Sequence, residues 1–73
     1  MRKIEDCEVG EVVTIKDVHD RCLALKLASV GLRVGDSIKI VSKMSDGPIV
    51  VEHTLHGNKI AIGKNMLKKI YVI

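Results

Sequence analysis

The sequence predicts a mainly β fold, a small barrel of five short strands with one short helix inserted after the first strand. Two observations carry that reading. Between Leu23 and Ile40 the apolar residues change from helical to strand spacing across two glycines, Gly31 and Gly35. The core must also be built from Ile, Val and Leu, because the 73 residues are 47% hydrophobic yet include one tyrosine and no phenylalanine or tryptophan. β-Branched side chains suit a pleated surface, where their restricted χ1 matches the packing of neighbouring strands.

Glu11 to Val18 reads as the first strand, with Val13 and Ile15 on one face and Thr14 and Lys16 on the other. Asp20 is placed to cap a helix from Arg21 to Val30, its carboxylate accepting from first-turn amides that have no partner within the helix. Leu23, Leu27 and Val30 recur at i, i+4 and i+7 and share the face turned to the core. Gly31 stops the helix at a position that favours positive φ, and Leu32 is expected to fold back on Leu27 as the apolar contact of a Schellman cap.

Gly35-Asp36 turns the chain into a second strand that runs to about Met44, with Ile38 and Ile40 facing inward. Ser45-Asp46-Gly47-Pro48 is a cluster of turn residues. Ile49 to Leu55 follows as a third strand with Ile49, Val51 and Leu55 on one face. His56-Gly57-Asn58 makes a tight hairpin to a fourth strand, Lys59 to Ile62, which Gly63 ends. Lys64 to Lys69 has room for one helical turn, and Ile70 to Ile73 is the closing strand. A single helix between the first two of five strands is the pattern of a small SH3-like barrel, with Ile15, Leu27, Leu32, Ile38, Ile40, Val51 and Ile62 in its core. A chain of this length buries roughly 60% of its unfolded surface, enough for one core, so residues 1–73 read as a single domain.

Met1 to Asp6 has no apolar signal-peptide core, and no apolar run approaches the length of a membrane span. A cytoplasmic location without direct membrane insertion is therefore expected. Catalysis finds little to work with. No serine lies in a nucleophile-elbow context, and the paired carboxylates Glu5-Asp6 sit near the terminus in solvent. Gly31 and Gly35 follow a helix C-terminus, the wrong end of its dipole for a phosphate. The chain is read as no enzyme.

The metal-ligating side chains are three histidines and two cysteines. His19 and Cys22 are three residues apart and would share a face if the helix began one residue early, with Cys7 as a further thiol. Period-two geometry aims His53 and His56 at opposite faces of a strand end. Neither pair makes a closed ligand set, so no metal site is assigned, and His19, Cys22, His53 and His56 are the residues from which a weak or intermolecular one would be drawn. Otherwise the cysteines read as buried or half-buried thiols and the histidines as surface residues near turns. A Cys7–Cys22 disulfide is not expected in a reducing compartment.

A net charge of +3 invites a nucleic-acid reading, but the lysines and arginines are spread along the chain and only Tyr71 could stack on a base. The same shortage of aromatics disfavours a groove for proline-rich peptides. A partner-binding surface is expected instead on the inserted helix and the turn after it, which decorate the barrel without closing it. Leu25 lies off the Leu23-Leu27-Val30 stripe, with Lys26 and Arg33 flanking it as basic residues that steer a partner. The alternative is that Leu25 simply widens the apolar stripe and covers the core.

The order of turns carries one further reading. Gly10 before the first strand, Gly31-Leu32-x-x-Gly35, Gly47-Pro48, Ile60-Ala61-Ile62-Gly63 and the closing Ile70-Tyr71-Val72-Ile73 together resemble the FeoA family over nearly the whole chain. One position departs from the pattern: Val34 stands where that family often has proline, which leaves the turn less rigid. The resemblance implies a small cytosolic accessory or regulatory module of ferrous iron transport, recruited to the inner face of the membrane by a FeoB-like GTPase-transporter and carrying no cofactor. A second implied relation is to the SH3-like C-terminal domain of iron-dependent repressors.

Overall fold

A computed structural model describes residues 1–73. The strands are β1 (Arg2–Lys3), β2 (Val12–Val18), β3 (Ser37–Lys43), β4 (Ile49–His53), β5 (Lys59–Ile62) and β6 (Ile70–Val72). The helices are α1 (Arg21–Ser29) and α2 (Lys64–Leu67), with a short 3-10 helix over Ile4–Asp6. All strand pairs are antiparallel, in the order β1-β6-β2-β3-β4-β5. Two bulges bend the ladder. Lys16 is extra between Ile15 and Asp17 against β6, and Val41 between Ile40 and Ser42 against β4. A bulge adds local twist, and these two curve the sheet around its own core.

The mainly β, SH3-like architecture expected from the sequence is present with one strand more than the five anticipated. The addition is β1, where Arg2 pairs with Val72 and Lys3 with Tyr71. Two residues show no periodicity, so nothing in the pattern announced it. Its consequence is large, because it carries Ile4 and Cys7 into the core at 0% exposure.

The core residues named from the alternation are all buried, Leu27 being the most exposed of them at 6%. The helix is capped as its sequence implies: Asp20 Oδ1 accepts from the Leu23 amide at 3.0 Å. At the other end the Leu32 amide donates to the Leu27 carbonyl at 2.8 Å and the Gly31 amide to the Ala28 carbonyl at 3.1 Å, both bonds of a Schellman motif. Gly31 has φ +95°.

Two expectations fail for related reasons. Val30 is 47% exposed, because α1 ends at Ser29 and the cap swings Val30 off the buried stripe. Leu55 is 80% exposed, because β4 ends at His53 and the chain turns before the alternation reaches Leu55. His53 takes the last inward position instead, after Ile49 and Val51.

Candidate functional site

Leu25 is the most exposed aliphatic side chain of α1, at 67%, so it does not widen the buried stripe formed by Leu23 and Leu27. Lys26 and Arg33 are exposed as well. Lys26 also lines a shallow apolar groove of about 160 Å³ between α1 and the edge strand β5. Leu23, Leu27 and Val30 form one wall, and Ile60, Ala61, Ile62 and Met66 the other. The sequence pointed to α1 but not to this groove, whose second wall comes from residues thirty or more positions later. Ile60 shares the inward face of β5 with Ile62 but is only partly buried, so its flank is left to line the groove.

Arg33 belongs to a loop that is tightly held. Its amide donates to Asp36 Oδ2 at 2.8 Å. The same oxygen lies 3.3 Å from Nε2 of His53. On the far side of the ring, Nδ1 accepts from the amides of Leu55 and His56, each at 3.2 Å. An acceptor nitrogen carries no proton, so the ring is assigned the neutral tautomer with its proton on Nε2, facing Asp36. His53 is thus a buried structural residue, 4% exposed, and not the surface residue expected. Its ring also lies against that of His56, centroids 4.5 Å apart and planes tilted by 33°, because the turn that its Nδ1 holds brings back a side chain that strand geometry would have sent away. With Nδ1 engaged by two amides, His53 has no lone pair free for a cation.

The remaining metal-ligating side chains stay apart: no three His, Cys, Asp or Glu side chains gather into a cluster. His19 Nε2 is 2.9 Å from Asp17 Oδ2, and its ring lies tilted against that of Tyr71 with centroids 4.2 Å apart. Cys22 is exposed in the first turn of α1, against the expectation of a buried or half-buried thiol. Its position two residues after the cap turns it away from the Leu23-Leu27 stripe. Cys7 is buried, and that burial pushes its thiol pKa up. Both cysteines are free.

The turn residues singled out from the sequence hold the frame. Gly31 and Gly35 both have positive φ and open and close the loop that carries Arg33. Gly10 also lies in a turn, and the Gly47-Pro48 turn joins β3 to β4. At Gly47 and Gly63 a Cβ would come within 3.2 Å of Met44 and Met66 respectively, so both sites are crowded. Ion pairs tie the outside: Arg2 forks onto Glu11 at 2.8 and 2.9 Å, Lys69 meets Asp20 at 2.8 Å, and Lys64 meets Asp46. The Arg2 fork and the Glu8 amide hold the Glu11 carboxyl down to about 2. The three surface depressions measure about 140, 210 and 160 Å³, below the usual size of a small-molecule pocket. No helix is long and apolar enough to cross a membrane.

Solved structures similar to this chain include the following two. One is the crystal structure of an iron uptake regulatory protein (FeoA), similar with a TM-score of 0.84 and 24% identity over 97% of this chain and 93% of that one. The other is a manganese-dependent transcriptional repressor in complex with manganese, with a TM-score of 0.87 and 20% identity. There the likeness covers 99% of this chain but 35% of the repressor. At these identities both likenesses speak for the fold alone. No curated protein matches the chain. The FeoA domain pattern, however, extends over residues 2–73, from the two-residue strand β1 to the strand that pairs with it, and by that match the chain belongs to the FeoA domain family.

Proposed function

We propose that this protein is a non-enzymatic accessory module of ferrous iron transport that binds the cytoplasmic side of a FeoB-like GTPase-transporter and regulates or assembles it. The observation that carries the reading is the FeoA domain match over residues 2–73. The surface adds support of a chemical kind. Leu25 offers an exposed apolar anchor on α1, Lys26 beside it in sequence and Arg33 in the loop after the helix supply exposed positive charge, and the groove between α1 and β5 supplies further apolar area. Iron does not pass through this module, and any transition metal it meets is bound weakly or between molecules.

The test is a pull-down from cells with the wild-type chain as bait, repeated with Leu25→Glu and with Lys26→Glu/Arg33→Glu after each variant is shown to be folded. The expected result is capture of the transporter by the wild type and its loss in the folded variants. Capture undiminished by either variant would remove α1 as the contact. A second reading is a free-standing regulatory domain acting on a DNA-binding repressor; its support is the fold shared with 35% of a manganese-dependent repressor. Recovery of a DNA-binding repressor in place of the transporter would establish it.

A further inference from the structure

Strand β5 ends the sheet, with β4 on one side and no strand on the other. Its register shows which backbone groups that leaves over. The His53 amide donates to the Asn58 carbonyl at 2.9 Å, so these two residues form a hydrogen-bonded pair of the β4–β5 ladder. Such pairs recur at every second position of an antiparallel ladder, which makes Val51–Ile60 and Ile49–Ile62 the next two. The amides and carbonyls of Lys59 and Ala61 are thereby turned away from β4, and no turn or loop group bonds to them. The groove between α1 and β5 runs along this same edge. Ile60, Ala61 and Ile62 all line it, and consecutive residues of a strand, whose side chains alternate between faces, share a groove when it follows their edge.

We propose that this edge takes an extended peptide segment of a partner as an added strand, with aliphatic side chains at alternate positions and a carboxylate beside Lys26. The inference rests on the reading of this chain as a partner-binding module and gives the partner's contact a chemistry. The free amides and carbonyls of Lys59 and Ala61 answer to another main chain in β conformation, because a helix has already spent its own backbone groups and a lipid tail has none. The side chains such a strand turns inward meet Leu23, Leu27, Val30, Ile60 and Met66, around a space of about 160 Å³. That space admits side chains and not a helix, which is about 10 Å across. Charge favours an acidic segment. Lys26 is the one charged residue lining the groove, and its ammonium makes no ion pair. Asp20 shares a neighbouring depression with it but is held by Lys69 at 2.8 Å. Lys59 has Glu52 opposite it on β4, so the uncompensated charge is that of Lys26. A second copy of this chain is the poorer occupant. Two β5 strands paired with each other crowd both Lys26 and both Lys59 around one four-residue ladder, where a stable interface takes about 20–30 residues a side. The other edge of the sheet, β1, is two basic residues long, too short to guide a strand.

The probe is a capped peptide of alternating valine and threonine closed at both ends by glutamate, added to the purified, isotope-labelled chain and followed by NMR. The amides of Lys59 and Ala61 are expected to exchange freely in the free chain and to slow about tenfold or more when the peptide is bound, while resonances of Val30, Ile60 and Met66 shift. N-methylation of the alternate peptide amides that face β5 should abolish binding, and methylation of the other set should not. Lysines in place of the glutamates should weaken binding about fivefold, and Lys26→Gln should remove that difference. Ala61→Pro takes away an edge amide that bonds to nothing in the free chain, so the variant should stay folded and lose the peptide. Absence of binding by the glutamate peptide would overturn the proposal. So would binding that survives methylation of either set of amides, which means contact by side chains alone. Protection of Lys59 and Ala61 that rises with protein concentration in the absence of peptide would make the occupant a second copy and the peptide assignment wrong. A chain that fails to bind the peptide yet captures the transporter keeps the partner reading and loses this edge. One that binds the peptide as described and captures no transporter keeps the edge and loses that partner.

Discussion

The His53 ring and the Asp36 carboxylate meet 3.3 Å apart and between them fix two loops, because Asp36 also holds the Arg33 amide and His53 also holds the amides of Leu55 and His56. Removing the ring leaves a cavity and two amides without an acceptor. His53→Ala is expected to cost about 2–4 kcal/mol in urea unfolding and to speed hydrogen exchange at Leu55 and His56. His53→Asn should recover part of the loss, since its side-chain oxygen can take the same amides in an Asx-type turn. A His53→Ala chain as stable as wild type would mean that the ring fills space and nothing more.

The place of His53 marks where sequence reading succeeds and where it stops. Alternation through Ile38, Ile40, Ile49 and Val51 located the core because period-two burial is a direct record of which face meets the interior. The same alternation carried the inward face on to Leu55 and left His53 to be read as a surface residue, but a strand can end one pair early when a side chain captures the amides that would have continued it. That capture is tertiary in its consequences and has no periodic trace. The partner helix was legible through Asp20, the Leu23-Leu27 pair and Gly31. Its groove was not, since Ile60 and Met66 reach it only through the folding of β5 and α2 beside α1. Strand β1 was invisible for a third reason: two residues are too few to carry a pattern.

Gly31 closes α1 with φ +95°, and a Cβ there would lie 3.3 Å from Asn58 Nδ2. Gly31→Val combines a left-handed backbone with pressure on the Asn58–Val30 bond. It should cost on the order of 1–3 kcal/mol from backbone strain alone, and each kcal/mol lowers Tm by about 4–8 °C in a domain of this size. Gly31→Asn should be milder, because asparagine tolerates the left-handed region better than a β-branched residue. Equal melting of Gly31→Val and wild type would remove the Schellman cap as a requirement of the fold.

The two thiols should separate cleanly in a labelling experiment. Cys22 is exposed and free, while Cys7 is buried, its Sγ 3.8 Å from the Lys3 carbonyl and its pKa raised by burial. A thiol reagent at neutral pH should modify one site on the folded chain and the second only under denaturant, since the thiolate is the reactive form and must be reached. Cys22→Ser should leave the folded chain unlabelled. Prompt labelling of Cys7 in that variant would show that the β1 segment opens readily from the core.

Acid should act first on the same segment, through Arg2 and Glu11. The guanidinium fork and the Glu8 amide lower the Glu11 carboxyl from its ordinary 4.5 to about 2, and hydrogen bonds from Lys69 and the Leu23 amide lower Asp20 in the same direction. A carboxyl depressed in the folded state stabilises it fully above the unfolded pKa, and that contribution disappears as pH falls through the folded value. Wild-type stability is therefore expected to be flat with respect to these groups above about pH 5 and to decline between about pH 5 and pH 2. Glu11→Gln removes one titrating group, so its curve should lie below the wild type at neutral pH, fall less steeply in acid, and approach the wild type near pH 2. Asp20→Asn keeps an acceptor for the Leu23 amide but gives up the charge facing Lys69, and together with Glu11→Gln it should flatten the acid limb further. Urea midpoints measured across this pH range decide the matter. A Glu11→Gln curve parallel to the wild type throughout would show that the Arg2–Glu11 fork is not kept in solution and that β1 is held by its pairing with β6 alone.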